Sequence, residues 1–313
     1  MANPKTQFYQ LKDGTRLAYQ IYGSEISNEV PLVMVTGLSA VKELWAELPL
    51  KLSHNRPVLV LDNRGVGESS LSVDAESTKE YGITILNMAK DVIALVESLG
   101  WRHIDLLGWS MGGMIAQMVV IELVKRRNDV RSLLRVRKLI LCATTPKNIP
   151  SGIVPVLKDM FEMKASPKPE EKMVQRQKMI KLLTKLIQLN FSKKFLEQHP
   201  DVVAAVGAEQ ARYRVPIRVL QEQSRAVGQF DVTSELHLLS NVPTLLIHGS
   251  EDYVLGIEGT KLISKGVPHA EVAQLSSSDY GHWFFAEVDV VPAIDNFLNK
   301  KVTIHDVHTK SKL

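Results

Sequence analysis

The sequence predicts an α/β fold in which a mostly parallel central sheet, flanked by helices, carries an inserted helical cap. Strand-like and helix-like segments alternate over residues 30–143 and again after residue 243, which is the pattern of a parallel sheet covered by helices. The stretch between them has helical periodicity interrupted by prolines. An all-helical insertion inside such an alternation is typical of a lid over a site.

The first part of the chain supplies most of the sheet. Residues 6–23 alternate apolar and polar side chains around Asp13-Gly14, and this pattern predicts a β-hairpin. Short continuous apolar runs at 31–36 and 57–61 predict strands that are buried on both faces, and the runs at 104–107 and 138–142 predict two further strands. Apolar residues at helical spacing predict helices over 44–52, 83–99 and 111–124.

The alternation resumes at the end of the chain. It predicts strands over 243–247 and 271–275 and helices over 257–264 and 283–298. The chain therefore divides into a core of residues 1–145 and 236–299, a cap of residues 146–235, and a flexible tail of residues 300–313.

Composition excludes several functional classes. The 313 residues are 45% hydrophobic and carry a net charge of +4, which fits a globular protein better than a disordered or dedicated nucleic-acid-binding one. The single cysteine, Cys142, cannot form an internal disulfide, is predicted to be buried at a strand end, and belongs to no metal-site spacing. The polar N-terminus and the absence of a long apolar run predict a soluble protein with neither signal peptide nor membrane span.

The strongest chemical motif is Gly108-Trp109-Ser110-Met111-Gly112, which matches G-x-S-x-G between a predicted strand and a predicted helix. So sharp a turn strains the backbone and lifts the serine hydroxyl away from the sheet. Gly108 and Gly112 supply the small side chains that the turn requires. The motif therefore predicts that Ser110 is a nucleophile.

A serine hydroxyl needs a base, and the base needs an orienting carboxylate. Asp252 and His282 follow the last two predicted strands in the order Ser, Asp, His, and strand ends are where open α/β sheets place ligands. They are the candidate partners of Ser110. Glu251 is the alternative carboxylate, and His248 is expected to brace its own loop.

The negative oxygen of a tetrahedral intermediate needs preorganised hydrogen-bond donors. One candidate is the backbone N–H of Met111, which directly follows the nucleophile. The other is the N–H of Leu38, in the loop after the strand at 31–36.

Together these segments resemble the α/β-hydrolase family, in its lid-bearing esterase, lipase and lactonase branch. The matching segments are Gly37-Leu38, Asp62-x-Arg64-Gly65-x-Gly67-x-Ser69, Gly108-x-Ser110-x-Gly112-Gly113, Gly249-x-x-Asp252 and Gly281-His282. The resemblance covers about residues 15–299. It departs from the family at Thr36-Gly37, where His-Gly is common. It implies hydrolysis by a Ser-Asp-His triad without a cofactor or metal.

The last three residues, Ser311-Lys312-Leu313, match a peroxisomal address. They predict a peroxisomal location and an import receptor as partner. The combination of this signal with the hydrolase motifs is similar to fungal peroxisomal esterases of secondary metabolism, including toxin pathways.

Three functional hypotheses follow. The first is an esterase, lipase or thioesterase that acts on a medium-sized acyl substrate. The same residues could instead hydrolyse a carbon–carbon bond or open a lactone, and a third hypothesis is a non-catalytic ligand receptor. Pro146 to Phe230 holds 15 Lys and Arg against 8 Asp and Glu, which suits either the phosphates of a CoA ester or a solvated face. The cap's Met, Leu, Ile and Phe side chains suit either an acyl pocket or ordinary packing.

Overall fold

A sheet with its strands in the order β1-β2-β4-β3-β5-β6-β7-β8 organises the protein. The computed structural model describes residues 4–23, 29–72, 82–126, 133–163, 169–213, 215–275 and 279–300. The strands are β1 (Gln7–Gln10), β2 (Arg16–Tyr22), β3 (Leu32–Val35), β4 (Val58–Leu61), β5 (His103–Trp109), β6 (Arg135–Cys142), β7 (Thr244–Ile247) and β8 (Glu271–Val272). β1 and β2 form the predicted hairpin and β2 is antiparallel to β4, whereas all other neighbours are parallel. The predicted fold class is confirmed.

Helices cover the sheet and bury its central strands completely. They are α1 (Leu48–Leu52), α2 (Ile85–Ser98), α3 (Met111–Lys125), α9 (Glu258–Gly266) and α10 (Val291–Asn299). Every residue of β3, β4 and β7 is buried, as expected for strands with helices on both faces. β3 lies between β4 and β5, and Val35 at its end pairs with Leu61 on one side and Gly108 on the other. This register brings the loops after β3 and β5 together at one edge of the sheet.

Two predicted helices are interrupted. The helix predicted over 283–298 is a 3-10 turn at Phe284–Ala286 followed by α10, because Pro292 occupies the first turn of α10 and Asp289 accepts the N–H of Val291. The helix predicted over 44–52 is a 3-10 turn at Lys42–Trp45 followed by α1. Ala46, at φ 50°, separates these two segments. The strand predicted over 271–275 is shorter, at Glu271–Val272.

Between β6 and β7 the described residues form a 3-10 helix at Thr233–Asn241 and, before it, five α-helices that we call the cap. They are α4 (Val154–Phe161), α5 (Pro169–Gln188), α6 (Lys193–Gln198), α7 (Pro200–Arg212) and α8 (Ile217–Gly228). Leu157 of α4, Leu182 of α5 and Leu220 of α8 belong to a small apolar cluster separate from the main core. The limits of the cap at residues 146 and 235 stay a prediction.

None of the helices in the described ranges combines the length and apolarity needed to cross a bilayer. Cys142 is fully buried at the end of β6, as predicted. The segment Ser311-Lys312-Leu313 lies outside the described residues.

Candidate active site

Ser110 stands at the sharp turn between β5 and α3. Its backbone has φ 58° and ψ −123°, a conformation that costs a non-glycine residue about 1–3 kcal/mol. Two hydrogen bonds hold the turn in place: the Ser110 N–H donates to the Cys142 carbonyl over 2.9 Å, and the Thr144 hydroxyl donates to the Ser110 carbonyl over 2.7 Å. The turn therefore keeps the strained conformation that the sequence predicted.

The glycines on either side of Ser110 are required by close backbone contacts. A Cβ atom at Gly108 would lie 2.3 Å from the carbonyl oxygen of Gly112. A Cβ atom at Gly112 would lie 2.1 Å from the carbonyl oxygen of Val35 in β3. Both distances are far below any normal contact, so a side chain at either position would push α3 away from the sheet.

The loops after β7 and β8 bring Asp252 and His282 together. Nδ1 of His282 lies 2.7 Å from Oδ2 of Asp252, and both side chains are buried. The N–H groups of Val254 and Leu255 donate to the other Asp252 oxygen over 2.8 and 2.9 Å. Burial raises the pKa of the Asp252 carboxyl, but the charges of His282 and His248 and the hydrogen bond with His282 outweigh burial and hold that pKa well below its usual range. Asp252 is therefore ionised and fixes the His282 ring.

A second histidine contacts the same carboxylate. Nε2 of His248 lies 2.8 Å from Oδ2 of Asp252, although without the alignment of a regular hydrogen bond. Its Nδ1 lies 2.6 Å from the hydroxyl of Thr260 in α9. Glu251, the alternative carboxylate, turns to the cap and accepts the N–H of Lys193.

Ser110 and His282 line one cavity of about 510 Å³ beneath the cap. We call it the large chamber; its walls include Leu38, Leu157, Met179, Ile187, Tyr213 and Trp283. The N–H of Met111 belongs to the first turn of α3, where N–H groups have no acceptor inside the helix. Of the cap methionines, Met160 and Met179 line this chamber, whereas Met173 is 66% exposed. The chamber thus joins Ser110, His282 and the candidate donor loop at Leu38.

The loop after β3 is braced from several directions. The Thr36 hydroxyl donates to the Ala40 carbonyl over 3.0 Å, and the Asn63 side chain donates to the Thr36 carbonyl over 3.2 Å. On the cap side, the N–H of Ser39 donates to Gln223 of α8 over 2.9 Å. Threonine at position 36, where the resembling family commonly has histidine, therefore takes part in holding this loop.

The segment that starts at Asp62 supports the same loop from beneath. Oδ1 of Asp62 accepts the N–H of Lys42 over 2.7 Å, and Oδ2 accepts its ammonium group over 3.1 Å. The Lys42 ammonium also contacts Glu43 and Glu68, and its side chain is fully buried. Burial lowers the pKa of Lys42, but the surrounding carboxylates outweigh burial and raise it above its usual range. Lys42 is therefore protonated at neutral pH and pairs with the carboxylates that surround it.

Two residues that sequence reasoning missed hold the His282 loop. The indole N–H of Trp109 donates to the His282 carbonyl over 3.0 Å, and the two rings lie 5.4 Å apart. Glu287 accepts the N–H of Gly281 over 3.1 Å. It also accepts the N–H of Ser192 over 2.9 Å and the hydroxyl of Ser192 over 2.6 Å. Trp109 could have been suspected from its place in the serine motif, but Glu287 carries no sequence signal.

The cap therefore touches the same loop that carries His282. In addition to the hydrogen bonds of Ser192, the Asn190 carbonyl accepts the N–H of Trp283 over 2.8 Å.

The described part of the chain contains no group of His, Cys, Asp and Glu side chains arranged to bind a metal ion.

The family model of the alpha/beta hydrolase fold matches residues 30–288. A protein provisionally named carbamate hydrolase RutD, from Pseudomonas savastanoi pv. phaseolicola, is 22% identical over 263 residues, which cover 84% of this chain and 90% of that protein. A poly(3-hydroxyalkanoate) depolymerase from Ectopseudomonas oleovorans is 25% identical over 278 residues, covering 87% of this chain and 85% of that protein.

Among solved structures, the enol-lactonase from Burkholderia xenovorans LB400 superposes with a TM-score of 0.73 at 22% identity. The match covers 94% of this chain and all of that one. The esterase from Exiguobacterium antarcticum gives a TM-score of 0.70 at 19% identity, covering 95% of this chain and all of that one. At these identities the likeness shows the fold.

Proposed function

Because this chain belongs to the alpha/beta hydrolase fold family and is a hydrolase of that type, we propose that it cleaves an ester or thioester of a medium-sized substrate through an acyl-enzyme intermediate. One observation carries the proposal: Ser110 and His282 line one chamber, and His282 is hydrogen-bonded to the buried, ionised Asp252. These are the groups that nucleophilic acyl transfer requires.

In the proposed mechanism, Asp252 occupies Nδ1 of His282, so Nε2 is the nitrogen that exchanges protons. Nε2 takes the proton of Ser110 as its Oγ attacks the substrate carbonyl carbon. The N–H groups of Leu38 and Met111 stabilise the negative oxygen that forms. When the carbon–oxygen or carbon–sulfur bond breaks, His282 gives the proton to the departing group. Water then attacks the acyl carbon while His282 takes one of its protons; the bond to Ser110 Oγ breaks, His282 returns the proton to Oγ, and the carboxylic acid leaves.

Labelling with a fluorophosphonate probe, followed by mass mapping, tests this function. We expect the label on Ser110 and its loss in Ser110→Ala and His282→Ala, both of which should remain folded by circular dichroism. Ser98→Ala is the matched control, because the Ser98 hydroxyl donates to the Leu95 carbonyl within α2 and Ser98 lines neither cavity at Ser110. A folded wild-type protein that takes no label would contradict the proposal.

Ester and thioester substrates can be separated by their response to salt. A CoA ester carries phosphates that the basic surplus of the 146–230 segment would attract, and salt screens such attraction. We expect hydrolysis of a CoA ester to slow with salt while that of a simple ester stays constant. Equal turnover of both without a salt effect would remove the CoA ester from the proposal.

A peroxisomal location, with an import receptor bound to Ser311-Lys312-Leu313, is part of the proposal and rests on sequence alone. A role in fungal secondary metabolism rests on the resemblance of this signal and the hydrolase motifs to fungal peroxisomal esterases. A fluorescent protein fused to the N-terminus should colocalise with a peroxisomal marker, and deletion of the three residues should disperse it. Unchanged localisation after deletion would refute this part.

A further inference from the structure

Two cavities of unequal size meet at Ser110. Besides the large chamber of about 510 Å³, a small chamber of about 160 Å³ lies between α3, α8 and the loop after Asp252. Its walls include Met111, Met114, Thr145, Val227, Gly228 and Leu255. Ser110 and Leu38 line both chambers. A substrate whose carbonyl carbon lies at Ser110 can therefore extend one part into each chamber.

The position of His282 distinguishes the two chambers. Among the described residues, His282 lines the large chamber and not the small one. In ester cleavage the general acid must lie within about 2.6–3.2 Å of the leaving oxygen to protonate it. The leaving alcohol therefore extends from the His282 side, into the large chamber.

The small chamber reaches Ser110 from a side that His282 does not line. Met111, whose N–H is a candidate donor to the negative oxygen, lines the small chamber and not the large one. The tetrahedral carbon bears four groups: the Ser110 oxygen, the negative oxygen, the leaving oxygen and the acyl chain. The leaving oxygen is hydrogen-bonded to His282, and the negative oxygen is hydrogen-bonded to the N–H groups of Leu38 and Met111. The acyl chain therefore extends into the small chamber.

We infer that the substrate is an ester of a short carboxylic acid with a bulky, mostly apolar alcohol, an inference that rests on the proposed function. At roughly 30 Å³ per water-sized group, the small chamber holds about 5 non-hydrogen atoms and the large one about 17. This assignment revises the expectation of a medium-sized acyl group by placing the larger part of the substrate in the alcohol.

The linings also define the chemistry of each part. No Asp, Glu, Lys or Arg of the described residues lines either chamber, so a charged acyl or alcohol group would lose hydration without a partner. Aliphatic cap side chains dominate the large chamber, with Asn190, Gln210 and Tyr213 as polar contacts. The alcohol is therefore apolar along most of its length, with room for an isolated polar group.

Two series of esters test the assignment with the full-length protein. The first combines acetic acid with linear alcohols of two to twelve carbons, and the second combines ethanol with linear acids of the same lengths. We expect kcat/KM in the first series to rise with length by up to roughly fourfold per buried methylene. In the second series it should fall at least about tenfold once the acid exceeds about five carbons. The reverse pattern would overturn the inference.

Two single substitutions, one in the wall of each chamber, test the role of each chamber separately. Ser224 of α8 is half-buried and lines the small chamber, so Ser224→Phe should fill part of that chamber. We expect this variant to shorten the acyl limit and to keep the preference for long alcohols. Ile187→Trp, at a half-buried position in the wall of the large chamber, is the matched variant and should abolish that preference while leaving the acyl limit in place. Exchanged effects of the two variants would also overturn the assignment.

Fluorophosphonate labelling separates failure of this inference from failure of the proposed function. If Ser110 is labelled and the length dependence is reversed, only the assignment of the chambers is wrong. If Ser110 takes no label and neither ester series is hydrolysed, both the proposed function and the inference that rests on it are wrong.

Discussion

Replacing Glu287 with alanine should lower both the stability of the fold and the rate of hydrolysis, because Glu287 holds the loop that carries His282. The Glu287 carboxylate accepts three hydrogen bonds, two from Ser192 in the cap and one from the Gly281 N–H beside His282. It is therefore a bridge between the cap and the loop that carries His282. Glu287→Ala removes all three bonds at once.

The number of hydrogen bonds lost determines the expected loss of unfolding free energy. Three hydrogen bonds at about 1 kcal/mol each amount to about 3 kcal/mol, and water that reaches the half-buried Glu287 position offsets part of it. We therefore expect the free energy of unfolding to fall by about 2–3 kcal/mol. Because misplacement of a catalytic group by about 1 Å can cost about 100-fold, we expect kcat/KM to fall by about 10- to 100-fold.

Urea unfolding and ester hydrolysis, measured well below the unfolding midpoint, check these values. Glu287→Gln keeps one acceptor oxygen and should restore part of both losses. Glu271→Ala is the control, because Glu271 pairs with Lys300 on an exposed surface and should matter by less than about 1 kcal/mol. A destabilised Glu287→Ala protein with wild-type kcat/KM would refute the positioning role.

Three further predictions concern the support of the site. The low pKa of Asp252 means that its contribution to stability is present above pH 4–5 and is lost only as the pH falls towards the folded-state pKa. The advantage in unfolding free energy of wild type over Asp252→Asn should therefore shrink as the pH falls below about 4 in denaturant titrations. Gly112→Ala places a Cβ atom 2.1 Å from a β3 carbonyl oxygen and should cost more than about 4 kcal/mol or abolish soluble expression, whereas Gly228→Ala should fold normally. Lys42→Met leaves buried carboxylate unpaired and should lose about 3–5 kcal/mol in urea unfolding, whereas the exposed Lys51→Met should change by less than about 1 kcal/mol. A Lys42→Met protein as stable as wild type would show that the cluster does not need its cation.

The sequence predicted the sheet well because its central strands are buried on both faces and therefore appear as continuous apolar runs. β3, β4 and β7 are such runs, and each lies within one residue of its predicted limits or inside them. The helix predicted over 283–298 was wrong because apolar periodicity continues through a proline that begins a new helix at Val291. The spacing of apolar residues shows which positions are buried, not whether the backbone is helical. A buried loop that precedes a helix can therefore continue the same spacing.

The sequence by itself determined the strand–helix alternation and the strained serine turn. It also determined the order of the candidate residues Ser110, Asp252 and His282, because these features depend on neighbours in the chain. Only the tertiary structure decided which groups surround them. His248 on Asp252, Glu287 between the cap and the His282 loop, and the unequal chambers all join segments that are distant in sequence or fill space between helices. No local pattern encodes such contacts, because they depend on how the helices pack over the sheet.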